Sequence, residues 1–237
     1  MPLEILLAED NPRDREFLVN ALSAYRLTAA IDGEEAIALA QRLDEPLLIS
    51  DVQMPLLNGI ELATQLWRLR PNAKIIFWTQ HKDEMYVRAL TRIVPAETVY
   101  GYVLKNNPAP ILVKAVENVF TENQCWVDPQ VRPVQARLRQ NRDSISDLEF
   151  EVLIDIALGL TDNMIAKRRY LSRRGAQSRL RSLYHKLGVG DECNEPALNP
   201  RARAVAVALQ RGLINAFELE EEERKLKHWL STSAADS

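Results

Sequence analysis

The stretch DVQMPLLNG at residues 51–59 decides the predicted fold, and it directly follows the apolar run LLIS at residues 47–50. A short apolar run bounded by turn residues is typical of a buried strand. Pro55 ends the regular structure, and Gly59 precedes a predicted helix. We therefore expect Asp51 at the carboxyl end of a strand, where the loops of an open parallel sheet form a ligand-binding crevice. An acid in this position is often only a polar loop residue, so the other strand ends decide its meaning.

Strands and helices alternate outward from this stretch along residues 1–122. The predicted strands are residues 3–8, 26–31, 47–50, 74–78 and 98–104. The predicted helices run to residue 24, over residues 33–43, 60–70 and 83–93, and onward from Pro108. These repeats predict an α/β domain, in which a doubly wound, five-stranded parallel sheet carries helices on both faces.

Polar side chains follow four of these strands at the point where each strand ends. They are Glu9 with Asp10, Asp51, Thr79 and Lys105. Because the carboxyl ends of parallel strands meet at one edge of a sheet, we expect these groups to lie together. Three neighbouring carboxylates repel one another, and a hard, oxygen-binding Mg²⁺ is the natural cation to offset the repulsion. The Asp51 carboxylate can then attack phosphorus, while Mg²⁺ and Lys105 stabilise the phosphoryl oxygens.

Residues 1–122 resemble the receiver domain of two-component response regulators. The matching features are Glu9-Asp10, the pattern D-x-x-M-P-x-x-x-G at residues 51–59, Thr79, and the run YVLK at residues 102–105. Each piece is weak by itself, and the joint match is specific. The resemblance implies that Asp51 accepts a phosphoryl group from a histidine kinase.

The resemblance also implies a role for each remaining residue of the site. It assigns Mg²⁺ binding to Asp10, Asp51 and the Gln53 carbonyl directly, and to Glu9 through water. Lys105 and Thr79 would act on the phosphoryl group. Thr79 and Tyr102 would form a switch pair, whose movement rearranges the face made by the fourth helix, the fifth strand and the fifth helix.

Two departures from the receiver pattern bear on phosphorylation. Gln80 stands where the family usually has a small residue, so the access or lifetime of the phosphoryl group is expected to differ. The segment at residues 92–97 is longer than the usual link to the fifth strand. A receiver that works without phosphate therefore stays open as an alternative. A phosphatase of the haloacid dehalogenase type is disfavoured, because Gln53 stands where that chemistry needs a second acid.

The composition is that of an ordinary globular protein, with 46% hydrophobic and 27% charged residues. Cys125 and Cys193 are too few and too far apart to indicate a disulfide framework or a metal site. No apolar run has the length of a membrane span, and the chain begins without a basic and apolar leader. We therefore expect a cytoplasmic protein with no membrane partner.

The charge distribution says more than the net charge of −3. Residues 144–216 carry 11 basic and 8 acidic residues, whereas the segments on either side are acidic. Within residues 163–190, eight basic residues occur without an acidic one. This asymmetry predicts that residues 163–190, called the basic block below, bind a polyanion.

A polar linker, predicted to be partly helical over residues 134–142, occupies residues 123–143, and helix signals follow it. Ser146 with Glu149 forms a capping-box pattern. Thr161 and Ser172 are candidate caps of a second and a third helix, and Gly159 ends the first. Short helices joined by tight turns predict an all-α helix-turn-helix domain at residues 144–215.

The third of these helices has an apolar face and a basic face. The apolar face is predicted from Ala176, Leu180, Leu183 and Leu187. We predict DNA contacts from Arg173, Arg174, Gln177, Ser178 and Arg181, with His185 on the same face. Residues 145–213 resemble the LuxR/NarL-type DNA-binding domain, which implies that this helix enters the major groove. Gly175, Ala176 and Met164 differ from the residues common in that family.

The last part of the chain carries three further expectations. A helix from Asn199-Pro200 has a small-residue stripe of Ala202, Val205, Ala206 and Leu209, which serves either core packing or dimer contact. The link at residues 190–199 is longer than usual. Residues 216–237 predict an acidic helix with Leu219, Leu226, Trp229 and Leu230 on one side and a frayed end from residue 231. The acidic run either is a solvated face or covers the basic helix when DNA is absent.

The sequence as a whole predicts a DNA-binding response regulator and not an enzyme. A histidine kinase would phosphorylate Asp51, and the phosphorylated chain would bind DNA as a homodimer. The alternative is a protein-interaction adaptor with a receiver fold and a degraded helix-turn-helix, independent of phosphorylation.

Overall fold

The computed structural model describes residues 3–82, 84–140, 145–189 and 198–235. The chain forms two compact units. The first comprises Met1–Lys82 and Tyr86–Ala136, and the second comprises Asp83–Met85 and Arg137–Ser237. Within the described ranges, no helix combines the length and the apolar composition needed to cross a membrane. The longer link expected after residue 189 lies largely outside them, since residues 190–197 are not described.

Strands and helices alternate in the first unit. The strands are β1 (Glu4–Ala8), β2 (Arg26–Ala30), β3 (Leu47–Ser50), β4 (Lys74–Thr79), β5 (Tyr100–Leu104) and β6 (Trp126–Val127). The helices along this part of the chain are α1 (Pro12–Ala21), α2 (Gly33–Ala40), α3 (Gly59–Leu69), α4 (Glu84–Ile93), α5 (Ala109–Val116), which continues as a π-helical segment (Glu117–Thr121), and α6 (Arg132–Gln140). The expected alternation of strands and helices is confirmed, with helix ends shifted by one to three residues.

The strands form one parallel sheet in the order β2-β1-β3-β4-β5-β6. The predicted parallel sheet is confirmed, but the predicted number of five strands is wrong. The sixth, β6, pairs with Gly101 and Tyr102 of β5 and lies in the segment that was expected to be a linker. A two-residue strand is too short to produce a periodic pattern in the sequence. The described part of the linker is helical over α6, as expected.

The sheet order brings the functional strand ends together. Strands β1, β3, β4 and β5 are consecutive neighbours, and all of them run in the same direction. Their apolar residues are buried, as in a parallel sheet covered on both faces. The polar residues at or directly after the ends of these four strands therefore lie at a single edge of the sheet.

The second unit is helical where it is described. Its helices are α7 (Asp147–Ala157), α8 (Asp162–Arg168), α9 (Arg173–Leu187), α10 (Pro200–Gln210) and α11 (Ala216–Ala235). The Ser146 side chain accepts from the Glu149 N–H, and the Glu149 carboxylate accepts from the Ser146 N–H, so the predicted capping box is confirmed. Thr161 and Ser172 cap α8 and α9 as predicted.

The core of this unit confirms one predicted apolar face and corrects another. Ala176, Leu180, Leu183 and Leu187 of α9 are all buried. On α10, however, the buried residues are Ala204, Val207 and Ala208. Ala202 and Leu209 of the predicted stripe are exposed, whereas Val205 packs against the core, so the core-packing interpretation holds for only part of that stripe. Since α10 has small apolar residues on most of its sides, the sequence alone did not fix which side faces inward.

Helix α11 is an integral part of the second unit. Leu226 is buried in the core, and Leu219 and Trp229 pack against it, whereas Leu230 is 42% exposed. The helix continues to Ala235, so the expected fraying from residue 231 is wrong over the described residues. The amphipathic helix itself is confirmed.

Candidate functional site

Asp51 follows β3 and lies at the edge where the four strands end. Its backbone N–H donates to the Ala8 carbonyl oxygen at 2.9 Å. Its Oδ1 accepts from the backbone N–H groups of Val52 at 2.5 Å and Gln53 at 3.3 Å. The loop closes tightly on this strand end at Gly59, where a Cβ atom would lie 2.0 Å from the Asp51 carbonyl oxygen. The Asp51 side chain is thus fixed, and it stays 10% exposed to solvent.

Lys105 follows β5 and directs its ammonium group at three carboxylates. Its Nζ donates to Glu9 Oε2 at 2.8 Å, to Asp14 Oδ2 at 2.7 Å and to Asp51 Oδ2 at 2.8 Å. Burial opposes the charge of the ammonium group, but Asp51, Asp14 and Glu9 outweigh that effect and raise the pKa of Lys105. Lys105 is therefore a fixed cation beside the Asp51 carboxylate.

Glu9 and Asp10 complete an acidic group with Asp51. Glu9 is fully buried, and its Oε1 accepts from the Asn11 N–H at 3.1 Å. Burial raises the pKa of Glu9 to about 7, although Lys105 lowers it. Carboxylate oxygens of Glu9, Asp10 and Asp51 lie within 4.8 Å of one another. This donor set fits a hard divalent cation, which would also favour the charged form of Glu9.

Thr79 and Tyr102 lie beside this acidic group and are linked through His81. Thr79 is fully buried, and its Oγ1 accepts from the His81 N–H at 3.3 Å. The Tyr102 ring is turned inward with 2% of its surface exposed, and its hydroxyl donates to the His81 carbonyl oxygen at 2.6 Å. Gln53 reaches the same region, since its Nε2 donates to the Tyr86 hydroxyl at 2.5 Å.

Helix α9 presents the predicted basic face to solvent. Arg173, Arg174, Ser178 and Arg181 are exposed, as is His185. Gln177 is half-buried, and its Nε2 donates to Asp162 Oδ2 at 3.4 Å. The structure thus brings the predicted contact residues onto one helix, opposite the buried face of Leu180 and Leu183.

Three of the eight basic residues in the basic block are neutralised by acids of α7. Arg168 Nη1 donates to Asp155 Oδ1 at 2.8 Å, and Arg169 donates to both oxygens of Asp155 at 2.7 and 2.9 Å. Lys186 donates to Glu149 Oε2 at 2.7 Å. Residues 163–190 contain no acidic residue, but acids of α7 contact them in the fold. The surface charge of this block is therefore smaller than the sequence indicates.

The contacts of Glu149 give the second unit a pH-dependent stability. Burial opposes the charge of this carboxylate, but hydrogen bonds from Lys186, Ser182 and Ser146 lower its pKa from 4.5 to about 2. Because the folded-state pKa is lowered, the charge stabilises the fold above pH 4.5, and this contribution is lost as the pH falls toward 2.

We therefore expect Glu149→Gln to lower the free energy of unfolding at pH 7 by about 2–3 kcal/mol. Calorimetric unfolding of the full chain measures this effect. The difference from the wild type should shrink as the pH approaches 3. Glu223→Gln is the matched control, because the Glu223 side chain is 52% exposed. A difference of the same size at pH 7 and pH 3 would contradict the role assigned to the carboxylate charge.

The family model of the response regulator receiver domain matches residues 5–117. These residues are a response regulator receiver domain. Its match covers β1 to α5 and contains every residue of the acidic group, together with Thr79, Tyr102 and Lys105.

The relatives of the chain extend beyond the receiver domain. The uncharacterized transcriptional regulatory protein YxjL of Bacillus subtilis is 27% identical, over 90% of this chain and 97% of its own length. The nitrate/nitrite response regulator protein NarL of Escherichia coli is 28% identical, over 78% of this chain and 89% of its own length. The homologues are NarL/LuxR-family response regulators, and the match to YxjL continues beyond the residues of the receiver domain.

Solved structures agree with this fold. The two-component response regulator RcsB, in a complex with DNA, aligns with a TM-score of 0.57 over 87% of this chain and 99% of its own, at 22% identity. At this identity the likeness shows the fold alone. It confirms a parallel α/β receiver domain followed by a helical domain.

The receiver domain contains two features that sequence reasoning missed. Asp14 of α1 pairs with Lys105, and the Trp78 ring lies under the ammonium group with its centroid 4.9 Å from Nζ. Phe17 stacks on Trp78 at 5.5 Å. The spacing of Asp14, four residues after Asp10 and in the first turn of α1, was the available signal. Gln80 is exposed directly after Thr79, and its effect on the access or lifetime of the phosphoryl group stays a prediction.

Proposed function

We propose that this chain is a DNA-binding transcriptional regulator controlled by phosphorylation of Asp51. A histidine kinase supplies the phosphoryl group, the phosphorylated receiver domain favours a homodimer, and the dimer binds DNA through α9. The observation that carries this proposal is the placement of the Asp51 carboxylate 2.8 Å from Lys105 Nζ and beside Glu9 and Asp10.

The chemistry follows from these positions. An oxygen of the Asp51 carboxylate attacks phosphorus, and the bond between phosphorus and the phosphohistidine nitrogen breaks, which leaves an acyl phosphate and a free imidazole. Lys105 supplies a fixed positive charge for the phosphoryl oxygens, and Thr79 supplies a hydroxyl donor. Mg²⁺, held by Asp10, Asp51 and the Gln53 carbonyl with Glu9 assisting, supplies further charge neutralisation when bound. Attack of water on the acyl phosphate returns the carboxylate and inorganic phosphate.

A second step carries the change from the receiver domain to the rest of the chain. Thr79 and Tyr102 act as the switch pair through their shared partner His81. The segment that contains β6 and α6 is hydrogen-bonded to β5 and to the loop after it. Asn107 donates to Asp128 at 2.6 Å, and Gln135 donates to the Tyr100 hydroxyl at 2.7 Å. Rearrangement of β5 and its following loop is therefore transmitted to the segment that leads into the helix-turn-helix domain.

DNA recognition is proposed for the exposed face of α9. Its arginines suit phosphate oxygens and guanine edges, whereas Ser178 and Gln177 suit base edges. RcsB, which shares this fold, forms a complex with DNA, and this supports DNA binding by this chain. Helix α9 would then enter the major groove. The exposed residues of the α10 stripe, Ala202 and Leu209, then serve dimer contact.

We expect Arg181→Ala to weaken specific DNA binding by about 1–3 kcal/mol, because Arg181 lies at the centre of the exposed face. Titration of DNA sequences selected from a random pool, at several salt concentrations, measures this effect. Arg224→Ala is the matched control, since it removes the same charge from the exposed side of α11. An equal loss on all DNA sequences would make Arg181 a phosphate contact. Unchanged affinity and salt dependence would contradict DNA binding through α9.

A further inference from the structure

Lys105 contacts three carboxylates, and one of them, Asp14, has no part in the phosphoryl chemistry proposed above. An ammonium group has three N–H donors, and here all three are engaged by Glu9, Asp14 and Asp51. A phosphoryl oxygen on Asp51 can therefore accept a hydrogen bond from Lys105 only when one of these carboxylates loses its own.

Asp14 is the partner that is easiest to release. Its side chain is 35% exposed, whereas those of Glu9 and Asp51 are 0% and 10% exposed. Water can solvate the released Asp14 carboxylate, but it reaches the other two poorly. Asp14 also lies outside the acidic group that fits a cation. Its contact with Lys105 is thus separate from metal binding.

Helix α1 holds the Lys105 side chain from a second direction. Phe17, three residues after Asp14 and on the same side of α1, stacks on the Trp78 ring, which lies 4.9 Å from Lys105 Nζ. The contact between a cation and an aromatic face keeps the ammonium group in place when one carboxylate is lost. Lys105 can therefore exchange Asp14 for a phosphoryl oxygen without leaving the site.

We infer that Asp14 is a positioning residue that competes with the phosphoryl group of Asp51 for Lys105. In the unphosphorylated receiver domain, Asp14 occupies one N–H donor of Lys105, and this weakens the binding of a phosphoryl group. The inference rests on the proposed role of Asp51 as the phosphoacceptor.

The test compares two affinities of the full chain, measured by calorimetry. One is the affinity for Mg²⁺ alone, and the other is the affinity for beryllofluoride, a phosphoryl mimic, at saturating Mg²⁺. Asp14→Asn should tighten beryllofluoride binding by about 3–10-fold, which is the range expected for the loss of one partly exposed ion pair. Asp14→Ala should tighten it further, because Asn still offers a neutral acceptor. Neither variant should tighten Mg²⁺ binding, since each removes a negative charge near the cation.

Glu16→Gln is the control, because it removes the same charge from an exposed position of α1. Equal effects of Glu16→Gln and Asp14→Asn would overturn the inference, since the effect would then be general electrostatics. Weaker beryllofluoride binding by both Asp14 variants would also overturn it and would make the contact supportive. Failure of the wild type to bind beryllofluoride, or binding that survives Asp51→Asn, would instead contradict the proposed phosphoacceptor.

Discussion

No phosphoryl group is expected on the Asp51→Asn variant after incubation with acetyl phosphate and Mg²⁺, whereas the wild type should be labelled. The amide of Asn is not a nucleophile, so no acyl phosphate forms. The substitution also removes one of the three carboxylates that lie within 4.8 Å of one another, which weakens cation binding. Intact-protein mass spectrometry at neutral pH measures the added phosphoryl mass.

Asp44→Asn is the control for this experiment, because Asp44 is exposed and lies away from the strand ends. It should be labelled like the wild type. Because Asn and Asp have similar shapes, we expect Asp51→Asn to keep the fold, and thermal unfolding of the variant checks this. Full labelling of Asp51→Asn would place the phosphoacceptor elsewhere.

Asp155→Ala is expected to destabilise the second unit by about 3–5 kcal/mol, the range seen when a buried ion pair loses one partner. The Asp155 carboxylate is fully buried and accepts three hydrogen bonds from Arg168 and Arg169. Without it, two partly buried guanidinium groups lose their main acceptor while they remain tied to α8. Urea unfolding, followed by amide hydrogen exchange of α7, α8 and α9, measures the loss.

Two further variants decide what this result means. Arg169→Met should cost less than Asp155→Ala, because Asp155 keeps its bond to Arg168. Glu220→Ala, at an exposed position of α11, should change stability by less than about 0.5 kcal/mol. Stability of Asp155→Ala equal to the wild type would show that the arginines find other acceptors. In that case Arg168 and Arg169 would add to the surface charge available to DNA.

The receiver site could be predicted because its residues follow the ends of regular strands. Asp51, Thr79 and Lys105 each come directly after an apolar run, and parallel strands bring their ends to one edge. The role of Asp14 could not be predicted in this way, since it depends on the direction of a side chain on α1. The neutralisation of Arg169 by Asp155 was missed for the same reason, because local sequence does not show which helix faces pack together.

The other differences between the sequence-based predictions and the structure concern β6 and the inward side of α10. The pairing of β6 depends on two residues, Trp126 and Val127, and is set by the free edge of β5 and not by a sequence pattern. The inward side of α10 was not determined, since Ala204 and Ala206 are indistinguishable by composition and only the first is buried. Helix caps such as Ser146 and Ser172 were predictable, because each acts within one turn of its own helix.

In the proposed function, a phosphoryl group on Asp51 controls DNA binding by α9. This control is tested most directly by the dissociation constant for a DNA sequence selected from a random pool, measured with and without beryllofluoride at saturating Mg²⁺. We expect beryllofluoride to tighten DNA binding of the wild type by at least about tenfold, roughly 1.4 kcal/mol, and to leave the affinity of Asp51→Asn unchanged. Equal affinity of the wild type in both conditions, or the same tightening in Asp51→Asn, would contradict it.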